Sequence, residues 1–201
     1  MNPNDPYLPA LLKARAALLA RNIAPSDIAS LTGATFADNH WEFPALGHTW
    51  QIAWPDLIVT CDGKLVNDAA SQIVLLNYLS HADGSPMTNV WVHWQTFAVG
   101  AAGLSQDRPG YLPPLTEYFK NDVALFRARC EKLGGASAHY GDAAYIFAAF
   151  PRIPLLAVYS AGDDEVPASS ALLFDRSADH FLPAEDLTGL INWLQQALEE
   201  G

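Results

Sequence analysis

Three consecutive carboxylates stand in the stretch YSAGDDEVPASS, residues 159–170, and they are the side chains of this sequence best suited to chemistry. They are Asp163, Asp164 and Glu165. Carboxylates this close together repel one another unless they point into water or converge on a cation. If burial raised the pKa of one while its neighbour stayed ionised, Asp163 and Glu165 would form an acid/base pair.

Three interpretations are open for this acidic loop, defined as residues 161–169. It is a solvated turn, a ligand-facing loop, or a divalent-metal site in which Asp163, Glu165 and Asp175 supply oxygen ligands. The segment lacks the alternating Asp/Asn pattern and the terminal glutamate of a calcium loop, so we assign no metal site. Pro167 would stiffen the loop, because its ring fixes φ and removes a backbone donor. We name Asp163, Glu165, Pro167 and Asp175 as candidate ligand-binding residues.

His93 is a further candidate catalytic residue, because it lies near two tryptophans in a predicted strand and could assist a carboxylate pair. A histidine in such a setting is more often a hydrogen-bonded core residue. The histidines show neither HxH nor HExxH spacing, and Cys61 and Cys130 form no CxxC pair, which argues against a zinc enzyme. The absence of GxSxG, GxGxxG and GxxxxGK argues against a nucleophile elbow and the usual nucleotide cradles.

Composition limits the function classes. A chain of 201 residues, 50% hydrophobic and 16% charged, is long enough for one globular domain with a substantial core. A formal net charge of −11 argues against nucleic-acid binding through Lys and Arg. The chain begins without a signal-peptide pattern, and no apolar run approaches the roughly 18 residues of a membrane span. We therefore expect a cytoplasmic protein that binds neither nucleic acid nor membrane.

Helices and strands must position these residues, and their patterns interleave along the chain. Helices are predicted over 5–22, 25–33, 67–84, 115–133 and 182–200, with a further short helix over 141–151. Strands are predicted over 49–54, 57–61, 89–97, 153–160 and 170–177, and a long loop over 98–114. Caps are expected at Ser26 for the second helix and at Asn67 or Asp68 for the third, and a turn at Asp62 and Gly63.

The connection between strands 49–54 and 57–61 is too short for parallel pairing. The sequence therefore predicts an α+β fold with a mostly antiparallel sheet and helices packed on it. We expect one domain over 1–201, in which N-terminal helices within 7–31 lead into an α+β body over 45–199.

Four segments carry a family resemblance: LLNYLSHADGSP, GDAAYIFAAFPRIPLL, GDDEVPASSALLFD and FLPAEDLTGL. Over about residues 65–198 the chain resembles a bacterial and archaeal family, domain of unknown function 3786. The family shows Phe where this chain has Val166, and some relatives carry a cysteine-rich iron–sulphur module whose cysteines this chain lacks. The resemblance implies no reaction, but it marks Asp163, Glu165, Pro167 and Asp175 as a special feature.

The sequence favours a small-molecule-binding, cofactor-binding or accessory protein with a pocket near the acidic loop, of unknown ligand or cofactor. If two or three of its tryptophans line a cleft, they would suit a flat hydrophobic ligand. The alternative is a hydrolase-like enzyme that uses carboxylate acid/base chemistry, with or without a divalent metal. A protein that binds a protein partner is a third interpretation, and it would show a large exposed apolar patch.

Overall fold

Two antiparallel five-stranded sheets and six α-helices make up the described part of this computed structural model, which covers residues 5–97 and 115–200. In chain order the elements are α1 (Leu8–Ala20), α2 (Pro25–Thr32), β1 (Thr35–Ala37), β2 (His40–Ala45), β3 (His48–Ala53), β4 (Val59–Cys61), β5 (Lys64–Leu65), α3 (Ala69–His81), β6 (Trp91–His93), α4 (Leu115–Phe119), α5 (Val123–Lys132), β7 (Ala136–Ala138), β8 (Ala143–Phe150), β9 (Ile153–Ser160), β10 (Ser169–Asp175) and α6 (Ala184–Glu200). The loop predicted over 98–114 lies outside the described residues.

The first sheet is a meander in which β1 to β5 follow one another in chain order. The predicted antiparallel pairing of 49–54 with 57–61 is confirmed as β3 with β4, and it places Trp50 opposite Cys61. The predicted turn at Asp62 and Gly63 joins β4 to β5, and both residues have positive φ, 49° and 75°. That pair of values suits the two-residue turn that Asp-Gly favours, because its twist matches that of the strands.

The second sheet has the order β6-β10-β9-β8-β7, again antiparallel throughout. The short helix predicted over 141–151 is wrong, because β8 occupies Ala143–Phe150. This Ala-rich strand is hydrogen-bonded to β9 on one side and to β7 on the other, and six of its eight residues are buried. Pairing and burial of this kind override the local preference of alanine for helix.

Local end signals explain several helix boundaries. The Asp68 side chain caps α3 by accepting a hydrogen bond from the Ser71 N–H at 2.7 Å, as predicted. The helix predicted over 115–133 is two helices, because Lys120 has a φ of 53° and the Asp122 side chain caps a new helix. The cap predicted at Ser26 is wrong by two residues, since α2 begins at Pro25 after Ala24. Proline suits this first helical position because its missing N–H would have no helical partner there.

One hydrophobic core joins the two sheets and the helices. The Tyr78 ring of α3 stacks on Phe150 of β8 with ring centroids 4.3 Å apart, and Phe43 of β2 lies 5.8 Å from Phe150. The Tyr78 hydroxyl donates to the Thr32 carbonyl and accepts from the Arg152 N–H. The shared core confirms the α+β fold class, with two sheets where the sequence pattern suggested one.

Candidate functional site

The acidic loop is exposed at all three carboxylates, Asp163, Asp164 and Glu165. The Asp163 carboxylate accepts hydrogen bonds from the N–H groups of Glu165 and Val166, at 2.9 and 2.8 Å. These backbone bonds lower the pKa of Asp163, with the Val166 contribution the largest. A general acid needs a raised pKa, so this geometry resembles a side-chain-closed turn more than an acid/base pair.

The base of the same loop is closed by contacts with its surroundings. The Asn121 amide pairs with the Gly162 backbone, accepting from its N–H at 3.0 Å and donating to its carbonyl at 3.3 Å. A Cβ atom at Gly162 would lie 2.4 Å from the Ala168 nitrogen, so only glycine fits where the loop folds on itself. Pro167, the third candidate of the loop, is exposed.

Asp175 is 1% exposed and accepts five hydrogen bonds. The donors are the N–H and hydroxyl of Thr88, the N–H and hydroxyl of Ser177, and the N–H of Asn89. Burial alone would raise the pKa of this carboxyl, but the hydrogen bonds lower it to about 2. Asp175 therefore ties the segment before β6 to the end of β10.

The structure does not bring the carboxylate candidates together. The acidic loop precedes β10 and Asp175 ends it, so the length of the strand, about 20 Å, lies between them. His93 ends β6, faces Leu173 of β10 across the ladder, and is exposed. A shared metal site of Asp163, Glu165 and Asp175 does not fit this arrangement.

His93 lines a cavity of about 170 Å³, called here the His93 pocket. Trp94, Gln195 and the first part of β10 form its other walls. Because Ser170–Leu172 follow the acidic loop directly in the chain, this cavity adjoins the predicted pocket position.

A second cavity, of about 240 Å³, lies where the β2–β3 hairpin meets the end of α6 and is called here the tryptophan pocket. Its walls are formed by Ala45, Leu46, His48, Trp50, Ser71, Trp193, Gln196, Ala197 and Glu200. The Trp50 and Trp193 rings are parallel, 4° apart in plane with centroids 5.8 Å apart, and both are half-buried. The pocket thus combines two stacked tryptophan rings with a few polar groups, and aromatic side chains with a few polar groups are the usual composition of a small-molecule site.

The largest described cavity, about 490 Å³, lies between α1 and the β4–β5 region, but the Arg15 and Gln72 side chains in its wall are already paired within the chain. The Arg15 guanidinium donates to the Leu57 and Asp56 carbonyls, and the Gln72 amide donates to the Val66 carbonyl. These bonds hold the chain together, so few directional groups are left for a ligand.

Two clusters have the composition of a catalytic centre. Ser85, Asp83 and His180 approach one another, but the Ser85 hydroxyl and the Asp83 carboxylate both contact Nδ1 of His180, at 3.2 and 2.8 Å. In a Ser-His-Asp triad the serine hydroxyl and the carboxylate bind opposite nitrogens of the histidine ring. This cluster instead connects the Asp83–Ser85 segment to His180.

The other cluster, called here the His48 cluster, comprises His48, Cys61 and Asp62. Burial and the neighbouring Asp62 raise the pKa of the Cys61 thiol, whereas a nucleophilic cysteine needs a lowered pKa. The sequence analysis did not predict this cluster or the role of Trp193. The antiparallel pairing of strands 49–54 and 57–61, which was predicted, was the available signal for the cluster, although its residue register was not predicted.

The fold defines an α+β domain built on two antiparallel sheets that share one core with six helices. The chain belongs to the family described as Domain of unknown function (DUF3786), whose family model matches residues 24–197. The resemblance expected over about 65–198 is therefore confirmed, and it extends back to the start of α2. No curated protein and no solved structure matches the chain significantly. Among the described helices, none combines the length and the apolar character that crossing a bilayer requires.

Proposed function

We propose that this protein binds a small molecule without transforming it, and that the ligand occupies the tryptophan pocket. The observation that carries this proposal is the parallel pair Trp50 and Trp193 in the wall of a 240 Å³ cavity. The sequence pointed to a binding protein with a pocket near the acidic loop. The exposed carboxylates of that loop offer little enclosure, so the aromatic cavity is the better-supported location.

The volume of the pocket limits the size of the ligand. Drug-sized ligands occupy cavities of about 300–1,000 Å³, so the tryptophan pocket suits a single fused-ring group. A flat ring can lie against the tryptophan faces, where dispersion and π-contacts favour it.

The electrostatic character of the pocket limits the charge of the ligand. Gln196, Ala197 and Glu200 belong to the last turns of α6, where the helix dipole is negative and cations are favoured. Glu200 adds a carboxylate, and the tryptophan faces attract cations through their ring quadrupoles. We therefore propose a planar ligand that is neutral or positively charged.

The alternative, carboxylate acid/base catalysis, gains no supporting observation from the acidic loop, because hydrogen bonds lower the Asp163 pKa and the carboxylates are exposed. The His93 pocket is the second candidate location for a ligand. Cytoplasmic residence is part of the proposal, and the unpaired thiols of Cys61 and Cys130 are consistent with a reducing compartment.

Thermal stability of the purified protein in EDTA tests the proposal with two bicyclic probes of opposite charge. We expect the cation 1-methylquinolinium to raise the melting temperature in a saturable manner, and the anion 2-naphthoate to have little effect. The variant Trp193→Leu should lose the shift. The matched control Trp94→Leu, which alters a half-buried tryptophan of the His93 pocket, should keep it.

Two results would overturn the proposal. One is the absence of a saturable shift with either probe. The other is loss of the shift in Trp94→Leu with retention in Trp193→Leu, which would move the binding site to the His93 pocket.

A further inference from the structure

The His48 cluster unites three different metal-binding groups on neighbouring strands. One ring nitrogen of His48, the Cys61 sulfur and a carboxylate oxygen of Asp62 all lie within 4.8 Å of one another. Within residues 5–97 and 115–200, no other set of three such side chains meets this spacing. The side chains of His48 and Asp62 remain about half exposed, so a solvated ion can reach them.

Strand pairing and hydrogen bonds position the three side chains of the cluster without a bound ion. Trp50 and Cys61 are paired on β3 and β4, which brings the start of one strand beside the end of the other. The Asp62 N–H donates to the Thr49 carbonyl at 2.8 Å, and the Thr49 N–H donates to Oδ1 of Asp62 at 2.9 Å. The other carboxylate oxygen contacts Nδ1 of His48 at 2.7 Å, which orients the imidazole.

We propose that His48, Cys61 and Asp62 bind a divalent transition-metal ion of the zinc class. A thiolate sulfur with an imidazole nitrogen selects such ions over magnesium or calcium, which prefer oxygen-only sites. Three protein ligands leave one position of a tetrahedral ion open for water or another donor.

The spacing of the donor atoms fits this ion after small side-chain movements. Donors around tetrahedral zinc lie about 3.3 to 3.8 Å apart, as follows from metal–ligand bonds of about 2.0 to 2.3 Å. The His48–Asp62 contact of 2.7 Å must widen slightly, and pairs as far apart as 4.8 Å must close. Both adjustments are available to side chains at the surface.

The site adjoins the tryptophan pocket, because His48 contributes to the pocket wall. The inference does not rest on the proposed ligand, since it follows from the three donor groups alone. The probe experiment above is carried out in EDTA, so its failure and the failure of the metal site are distinguishable.

Cobalt(II) is the spectroscopic probe for this site, because a cobalt–thiolate bond produces an intense near-ultraviolet charge-transfer band. Untagged protein is titrated with Co²⁺, and Zn²⁺ is then added in competition. We expect a thiolate band that saturates at one Co²⁺ per chain and that Zn²⁺ removes. The variants are Cys61→Ser, His48→Gln and Asp62→Asn, with His139→Gln as the matched control on an exposed histidine elsewhere.

Cys61→Ser should abolish the band, while Cys130 remains in every variant as the internal control thiol. His48→Gln and Asp62→Asn should each weaken Co²⁺ binding about tenfold or more, because loss of a residue that only supports a metal ligand already costs about 10–100-fold in affinity. His139→Gln should bind Co²⁺ as the unmodified protein does. Absence of a thiolate band in the unmodified protein, or its persistence in Cys61→Ser, would overturn the inference. Equal binding by His48→Gln and the unmodified protein would do so as well, and this surface variant is expected to fold.

Discussion

Replacement of Asp175 by asparagine removes a buried negative charge from five hydrogen-bond donors. The carboxylate is 1% exposed, and its donors come from Thr88, Asn89 and Ser177. An asparagine of the same shape keeps one acceptor oxygen but directs an NH₂ group towards donors. The change therefore tests whether this carboxylate anchors the segment before β6.

The size of the effect follows from the pKa. The environment lowers the Asp175 pKa from 3.8 to about 2, which corresponds to about 2 kcal/mol of folding free energy at neutral pH. Repulsion between the new NH₂ and its neighbouring donors adds to this loss, so we expect Asp175→Asn to cost about 2–4 kcal/mol. A loss of that size is a large part of the 5–15 kcal/mol that is usual for a domain.

The difference in stability between the two proteins should also depend on pH, in a direction that the lowered pKa determines. A depressed carboxyl pKa stabilises the protein above the unfolded value of 3.8, and this stabilisation is lost as the pH falls towards 2. The gap between the unmodified protein and Asp175→Asn should therefore narrow by about 1 kcal/mol between pH 7 and pH 3. Other carboxylates titrate in both proteins and cancel in the difference.

Urea denaturation at pH 7 and pH 3, followed by circular dichroism, measures both quantities. Asp163→Asn is the matched control, because Asp163 also accepts backbone hydrogen bonds but is exposed, and asparagine can close the same turn. The control should change stability by no more than about 0.5 kcal/mol. A similarly small effect of Asp175→Asn at pH 7, or a gap that stays constant at pH 3, would refute the reasoning.

Three further changes test other parts of the structure. Tyr159→Phe removes a buried hydroxyl that has no hydrogen-bond partner among the described residues, so urea denaturation should show a gain of about 1 kcal/mol, and a loss would reveal a partner. Gly162→Ala places a Cβ 2.4 Å from the Ala168 nitrogen, so the melting temperature should fall and proteolysis of the loop should accelerate; an unchanged melting temperature would contradict the tight closure. Asp83→Asn removes the carboxylate that raises the His180 pKa, so an NMR titration should show this pKa falling towards 6.5. The contribution of the Asp83–His180 pair to stability is present above pH 3.8 and is lost as the pH falls towards 2. It is also lost as the pH rises from 6.5 through the raised pKa of His180. An unchanged His180 pKa in Asp83→Asn would rule out the pairing.

Elements with a local chemical signature could be predicted from the sequence. Asp68 caps α3 because a side-chain oxygen can reach an N–H three residues on, and Asp62 with Gly63 turns the chain because both adopt positive φ. β8 was predicted as a helix because a buried, Ala-rich central strand shows no alternation of polar and apolar residues. Its identity depends on neighbouring strands, which no local pattern specifies.

The acidic loop shows why crowded charge is a weak guide to a site. The sequence places three carboxylates side by side, but this order does not determine whether the side chains point inward or into water. The hydrogen bonds from Glu165 and Val166 to Asp163 are those of an Asp-initiated turn, a signal that was present in the local sequence. Asp175 belongs to the same family motif, but its contacts with Thr88 and Asn89 come from tertiary structure.

Strand register carries information about sites that motif searches miss. In an antiparallel pair such as β3 with β4, each residue forward on one strand faces one residue back on the other. The pairing of Trp50 with Cys61 therefore brings His48 close to Asp62. Metal-ligand searches look for short intervals within one segment and overlook donors joined only across a ladder. Trp193 differs, because its contact with Trp50 depends on how α6 packs against the first sheet, and the helix pattern fixes its buried face but not the strand it meets. The metal donors were therefore within reach of sequence reasoning through register, whereas the aromatic wall of the adjoining pocket required the tertiary structure.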